Sequence, residues 1–289
     1  MAPHETTRLP DVAGRYELQK VIGTGGLSTV YEAFDRQLNR TVALKRMNRA
    51  DDQNERNLIE QAWRESIAAA NLKHPNIVRV YDLGFDATGA YIVMELIEGE
   101  SLEQVLERGP LQLVDFLHFT DETLRALEVA HEHGIVHRDI KPGNFMLEHL
   151  GSPLGFTVKI LDFGLAKYVN APRPQSTDQM NSIMGSIYYM APEQFSRKPV
   201  DHRTDLYAFG CVVYEILTGY NVFYGDAVSQ IIHSHLYDHP APLHQLRPEI
   251  SPQLETWVMT FLEKNPLHRP QSALEALKTL PSLEECTAV

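Results

Sequence analysis

His137-Arg138-Asp139-Ile140-Lys141-Pro142-Gly143-Asn144, followed after an interval by Asp162-Phe163-Gly164, is the stretch on which the reading of this chain turns. The first segment gathers a carboxylate, an ammonium and an amide around a Pro-Gly turn, and the second adds a carboxylate ahead of an aromatic-glycine pair. An Asp in general is more often a cap or turn residue than a reacting group, and a short motif alone recurs in unrelated proteins. The two segments in this order, with the companions that surround them, make coincidence a poor explanation.

Outward from this stretch the chain divides in two. On the N-terminal side, YELQKVIG, TVYEAFD, TVALKRM, VRVYDLGF and AYIVMELI read as short β segments separated by turn signals such as Asp86-Ala87-Thr88-Gly89. One helix interrupts them: from Asn57 to Leu72, the residues Ile59, Ala62, Trp63, Ser66 and Ala70 share a face. After Gly99 the pattern turns helical. Ser101 with Gln104 forms a capping-box start, and a longer helix from Gln112 carries Leu113, Phe116, Leu117, Leu124 and Leu127 before Gly134 closes it. Further helices are predicted from Asp205 to Thr218 and from Pro252 to Lys264. The expected architecture is α+β and bilobal: a small β-rich N-lobe with one main helix (13–97), a hinge, and a larger helical C-lobe (98–280), with flexible tails at 1–12 and 281–289. Pockets favour such a seam between lobes.

Composition bounds the function classes. The chain has 289 residues and a formal net charge of −12, which disfavours non-specific binding to nucleic acid or anionic membrane. It has neither an apolar run long enough to span a bilayer nor a basic start followed by an apolar stretch, so a cytoplasmic protein is expected. Its two cysteines, Cys211 in an apolar stretch and Cys286 in a polar tail, fit a reducing compartment with no disulfide.

Several flanking motifs complete the pattern. Ile22-Gly23-Thr24-Gly25-Gly26-Leu27-Ser28-Thr29-Val30 lies between two strands, where glycines let a backbone approach phosphates closely. In Val42-Ala43-Leu44-Lys45 strand alternation points a lysine inward, where it needs an anionic partner. With Met190-Ala191-Pro192-Glu193 and Leu267-His268-Arg269-Pro270, these segments resemble the eukaryotic-like protein kinase superfamily from about Tyr16 to Pro270. One departure is Ser28, which stands where the family's glycine-rich loop has its third glycine.

The resemblance implies a set of roles. Asp139 would be the catalytic base and Lys141 would offset charge on the transferred phosphoryl group, while Asn144 and Asp162 would bind Mg²⁺ or Mn²⁺. Lys45 would hold the α- and β-phosphates of ATP and pair with Glu65, for which Glu60 is the rival. Ile22 to Ser28 would cover the nucleotide; Val30, Ala43 and Met146 would sandwich adenine. Met94 would be the gatekeeper, and Glu95 to Ile97 the hinge whose backbone bonds the adenine edge. Glu193 and Arg269 would form a buried structural pair, and Asp205 would brace the catalytic loop.

Lys141 and Ser186 resemble serine/threonine rather than tyrosine kinases, so the expected partners are protein substrates with Ser/Thr acceptors. Arg138 and Lys167 are candidates for a cationic pocket that orders the activation segment around a phosphate on Thr177, Ser176 or Ser182, although Asp178 could supply a standing negative charge instead. The overall form resembles bacterial members; many of those carry a membrane helix and sensor domain after the kinase, which this sequence lacks, so cytoplasmic input is expected, from a partner or by self-association for phosphorylation in trans. The competing reading is a pseudokinase that binds nucleotide or a partner without transfer, and only Ser28 leans that way.

Overall fold

The computed structural model describes residues 11–25, 28–47, 67, 70–86, 89–148, 155–163 and 185–287. Five strands form the N-terminal sheet: β1 (Tyr16–Gly25), β2 (Ser28–Asp35), β3 (Arg40–Met47), β4 (Val80–Asp86) and β5 (Gly89–Met94). They are antiparallel in the order β1-β2-β3-β5-β4. The predicted strands are all present: β2 alternates toward its buried end, whereas β3 and β5 carry continuous apolar runs, Val42–Leu44 and Ala90–Met94, that are buried on both faces. Alternation on β3 also splits the lobe's core in two. Val42 and Leu44 join Tyr16, Leu18, Ala33, Tyr91 and Val93 on one face, and Ala43 joins Val78, Ile92 and Met94 on the other. Lys45 follows Ala43 by two residues and so points toward that second face, which looks at the rest of the chain. Of the helix predicted from Asn57, most residues lie outside those described.

Among the described residues, two backbone connections join this sheet to the remainder. One is the segment after β5, residues 95–98. The other runs before β4: Val78 donates its N–H to Ile160 O at 3.0 Å, Ile160 donates to Asn76 O at 2.8 Å, and the Asn76 side chain donates to Val158 O at 2.9 Å.

Beyond the hinge lies a second, three-stranded sheet of β6 (Gly99–Ser101), β7 (Phe145–Glu148) and β8 (Thr157–Ile160), in that order and antiparallel. β7 and β8 pair on either side of the stretch EHLGSPLGF. A Cβ at Gly99 would lie 2.1 Å from Leu147 O, so the close approach of β6 to β7 requires glycine there. The helices are α1 (Leu102–Leu106), α2 (Leu113–Glu132), α3 (Pro192–Phe195), α4 (His202–Thr218), α5 (Val228–Tyr237), α6 (Leu243–Leu246), α7 (Pro252–Phe261) and α8 (Ala273–Lys278). The Ser101–Gln104 capping box opens α1 as expected. Helix α4 is apolar on nearly every side and runs through the core of the C-lobe, ending at Gly219 with φ 76°, a conformation glycine adopts without strain.

Four boundaries differ from those expected of the sequence. Helix α4 begins at His202, because the Asp201 carboxylate caps it by accepting from Arg203 N at 2.9 Å. Helix α7 stops at Phe261 instead of reaching Lys264; Pro266 restricts the backbone before it, and the turn it opens belongs to a short 3₁₀ segment. Residues 281–287, expected to be a flexible tail, are docked as far as the structure describes them. Cys286 is fully buried in the C-lobe core, and its carbonyl accepts from Ser251 N at 2.9 Å. Val12, at the end of the expected N-terminal tail, is likewise buried against Tyr16. Cys211 and Cys286 are both free thiols. Among the described residues no helix is long and apolar enough to cross a membrane.

Candidate active site

Helix α4 sets the site from below. Asp205, fully buried in its first turn, accepts from His137 N and Arg138 N at 2.7 Å each and meets His131 Nε2 at 2.9 Å. Burial pushes its carboxyl up, but the His131 hydrogen bond and the charges and amides around it more than offset that, leaving it below the usual carboxylate range. One carboxylate therefore holds two consecutive amides of the catalytic loop. It needs to, because Arg138 sits at φ 67°, a left-handed conformation costing a non-glycine residue about 1–2 kcal/mol.

His137 ties this loop to the next. Its Nε2 lies 2.7 Å from Leu161 O and must carry the proton, while Nδ1 accepts from Asp139 N at 3.3 Å; the ring is thus the neutral Nε2–H tautomer. The same ring packs edge-on against Phe163 at 4.8 Å. Leu161 and Phe163 flank Asp162, itself left-handed at φ 58°, so its backbone is gripped on both sides. Sequence alone assigns His137 no role. Its place at the head of the motif carries no chemical hint, because its work is wholly with backbone and a ring.

Asp139, Lys141 and Asn144 lie together on one loop, with Asp162 and Lys45 facing them. Lys141 Nζ lies 2.9 Å from Asp139 Oδ2 and donates to Ser186 Oγ at 2.8 Å. The Asn144 amide nitrogen donates to Asp139 O at 2.7 Å and Oδ2 at 3.1 Å, which turns its amide oxygen away from Asp139. Lys45 Nζ, from β3, reaches Asp162 Oδ2 at 2.7 Å with both side chains largely buried. Burial pushes the Asp162 carboxyl up, yet the charge and hydrogen bond of the Lys45 ammonium, with a smaller contribution from Lys141, hold it below its ordinary value. Glu65, the expected partner of Lys45, lies outside the described residues, as do Glu60, Lys167, Gly26, Leu27 and the candidate phosphoacceptors Ser176, Thr177 and Ser182. Among the described residues the carboxylate at Lys45 is Asp162.

Along the seam, Ala43 on β3 pairs with Met94 at the end of β5, and both are buried. Val30, Leu96, Ile97 and Leu161 pack against the same cluster. Leu96 and Leu161 are not among the expected pocket residues; in sequence they are ordinary aliphatics, and only the fold shows that they reach the face shared with Ala43. Gly23 on β1 pairs with Val30, and Val30 with Lys45, so Ile22, Gly23, Thr24, Gly25 and Ser28 lie on the hairpin adjoining the lysine strand. Met146 sits on β7 opposite Ser101 and Lys159, on the other side of the hinge. Glu95 anchors that hinge: its N–H is donated to Arg79 O at 2.9 Å and its carboxylate pairs with Lys159 at 3.0 Å.

Away from the seam, the expected Glu193–Arg269 pair is present and buried, with two parallel contacts at 2.8 and 2.9 Å. The pair fixes α3, which follows the Met190-Ala191 turn, to the far end of the C-lobe.

A small antiparallel sheet over a helical lobe, with an Asp-Lys-Asn loop facing a Lys-Asp ion pair across the seam, is the arrangement of the bilobal protein kinase fold. The chain belongs to the protein kinase domain family, whose profile matches residues 16–280. It is 40% identical over 269 residues to the Streptomyces coelicolor protein named "Probable serine/threonine-protein kinase SCO3848", covering 91% of this chain and 39% of that one. It is 36% identical over 263 residues to serine/threonine-protein kinase PrkC of Bacillus subtilis (91% and 39%). To serine/threonine-protein kinase PknB of Mycobacterium leprae it is 38% identical over 274 residues (93% and 43%). The chain thus spans about two-fifths of the length of these relatives.

Proposed function

We propose that this chain is a serine/threonine protein kinase that transfers the γ-phosphoryl group of ATP to Ser/Thr hydroxyls of proteins, itself included. The observation that carries the reading is the convergence of Asp139, Lys141 and Asn144 on one loop, with the Lys45–Asp162 pair across from it.

In this reading Asp139 accepts the proton of the acceptor hydroxyl as its oxygen bonds to the γ-phosphorus. The bond from that phosphorus to the β–γ bridging oxygen breaks, and ADP leaves. The Lys141 ammonium, 2.9 Å from the base, offsets charge spreading over the equatorial oxygens, and its contact with Ser186 fixes its direction. Lys45 takes the α- and β-phosphates. The donor set fits Mg²⁺ or Mn²⁺: Asp162 offers a carboxylate kept ionised by Lys45, and Asn144 offers an amide oxygen on the side away from Asp139. A divalent ion held by Asp162 and Asn144 would supply positive charge that offsets the negative charge of the phosphates. Adenine would lie between Val30 and Ala43 above and Met146 below, with Met94 at the back. Because the Glu95 N–H is spent on Arg79 O, the hinge would present Glu95 C=O and Ile97 N–H to the base.

Residues 13–280 form the kinase domain in this reading. Glu65 is kept as the helix partner of Lys45 in the nucleotide-bound state, and Thr177, Ser176 and Ser182 as activating phosphoacceptors, with phosphorylation in trans between two copies. Cytoplasmic placement follows the same reading. Intact-mass spectrometry before and after incubation with Mg²⁺ and ATP, with a generic basic protein as acceptor and Asp139→Asn as control, tests the activity. Mass gained in steps of one phosphate by wild type and not by the variant is expected; no gain by either overturns the reading. Alanine at all three loop sites tests activation, and an unchanged rate would remove that part.

A further inference from the structure

The base is the residue after Arg138, so its placement depends on the peptide unit that joins them. That unit has two polar ends, and both are held. The Asp139 N–H goes to His137 Nδ1. The Arg138 carbonyl accepts from the Gln194 side-chain nitrogen at 3.2 Å. Gln194 stands on α3, and its amide oxygen accepts from Ala191 N at 2.8 Å. The side chain therefore bridges two backbones: the turn ending at Ala191 and the strained residue that precedes Asp139.

The chemistry at this bridge selects an amide. A backbone N–H on one side demands an acceptor and a backbone C=O on the other demands a donor. Glutamine supplies both from one planar group, whereas a glutamate of the same length offers two acceptors and a methionine neither a strong donor nor a strong acceptor. The orientation of the amide is fixed by the same logic, since the reverse would set donor against donor and acceptor against acceptor.

We propose that Gln194 is a positioning residue for phosphoryl transfer: its amide locks the Arg138–Asp139 peptide plane and so aims the Asp139 carboxylate. The proposal rests on the kinase reading above and deepens it, by making the direction of the base depend on the seating of the Met190–Ala191 turn. Asp205 fixes the N–H side of Arg138 and Gln194 fixes its C=O side, so a left-handed residue that would otherwise relax is clamped at both ends.

The test compares wild type with Gln194→Glu and Gln194→Met, with Asp139→Asn as the inactive control. At pH 8 the Glu variant keeps an oxygen for Ala191 N–H and sets a second acceptor, in place of the donor, against the Arg138 carbonyl. Both variants are expected to lower kcat roughly 10-fold while the KM for ATP stays within about twofold, because aim and not nucleotide binding is lost. Hydrogen–deuterium exchange at the Asp139 amide should quicken at least about threefold in both, and the urea midpoint of the Glu variant should match wild type. A Glu variant with wild-type kcat and wild-type exchange, with only Met impaired, would reduce Gln194 to a local cap on Ala191 and overturn the proposal. If wild type transfers no phosphate, the kinase reading fails, and the exchange measurement still decides the clamp: unchanged exchange at Asp139 in the Glu variant refutes it.

Discussion

Replacing Arg269 with methionine removes a cation whose donors are fully committed. Nε donates to Glu263 O at 2.8 Å; Nη1 to Glu193 Oε1 at 2.8 Å and Arg203 O at 3.0 Å; Nη2 to Glu193 Oε2 at 2.9 Å and Lys264 O at 3.2 Å. The guanidinium also lies 4.8 Å from the Tyr207 ring centroid. With the arginine gone, Glu193 keeps only the Thr204 hydroxyl among these partners, in a site where it is 4% exposed. Breaking one side of such a pair costs about 3–5 kcal/mol, mostly the cost of a buried charge left uncompensated. Arg269→Met should therefore lose about 4 kcal/mol by urea unfolding followed through circular dichroism. The double variant with Glu193→Leu should lose less than Arg269→Met alone, since the stranded charge is gone. The pH dependence has a definite sign. Burial raises the Glu193 carboxyl, but Arg269 and Thr204 bring it below its unfolded value. Its contribution is complete above the ordinary carboxylate pKa and is lost as pH falls through the lower folded value, and Arg269→Met should abolish that window. A loss under about 1 kcal/mol for Arg269→Met would refute the reasoning, because it would mean that Glu193 finds water or protonates cheaply.

Three more outcomes are expected. Asp205→Asn keeps one acceptor oxygen but sets an NH₂ group against a backbone N–H, so kcat should fall at least about 10-fold with little change in the KM for ATP in steady-state assays. Lys45→Met removes the proposed phosphate ligand and the cation beside Asp162, and should lower kcat/KM for ATP by roughly 100-fold or more without unfolding the domain in a thermal melt. His235, buried among Phe195, Tyr207 and Phe223, is pushed down to about 3 by burial and by Lys264. Its folded pKa is depressed, so its contribution is present above pH about 6.5 and lost toward about 3, at up to about 1.4 kcal/mol per pH unit. His235→Phe should flatten the fall in stability measured between pH 7 and 4.5; parallel curves would show that the ring is hydrated.

How much is legible in the sequence depends on the kind of information each feature carries. The period-two pattern of β3 is enough to place Lys45 on the inward face, because alternation is a local property. The resemblance supplies Asp139, Lys141, Asn144, Asp162, Asp205 and the Glu193–Arg269 pair, and the fold brings each to a position where its role is physically sensible. What stays hidden is non-local or too short to show a period. Strands of three or four residues, such as β6 to β8, cannot display alternation, and their pairing is set by contacts far apart in sequence. Helices α3, α5, α6 and α8 have no counterpart among the predicted elements, α3 and α6 because four residues barely make a turn. The left-handed backbone at Arg138 and Asp162 has no sequence signal, since neither is glycine. Cys286 reads as part of a polar tail because its neighbours are polar; its burial depends on Ser251 and Ile250, remote in sequence.

The two connections between the sheets act as a pair of pins. One lies at residues 95–98, where β5 ends, and the other at Asn76–Val78, where β4 is about to begin. Sliding or twisting of the five-stranded sheet would break the Val78–Ile160 and Ile160–Asn76 hydrogen bonds, whereas rocking about the line through the pins would keep them and work instead against the Lys45–Asp162 contact. Strand β1 stands three strand spacings from β5, about 14 Å. Each degree of rocking then lifts the Gly23–Gly25 edge by about 0.25 Å for that lever arm, while the strands at the pins scarcely move. The lever would amplify a small tilt at the hinge into a large change of clearance beneath the Gly23–Gly25 edge.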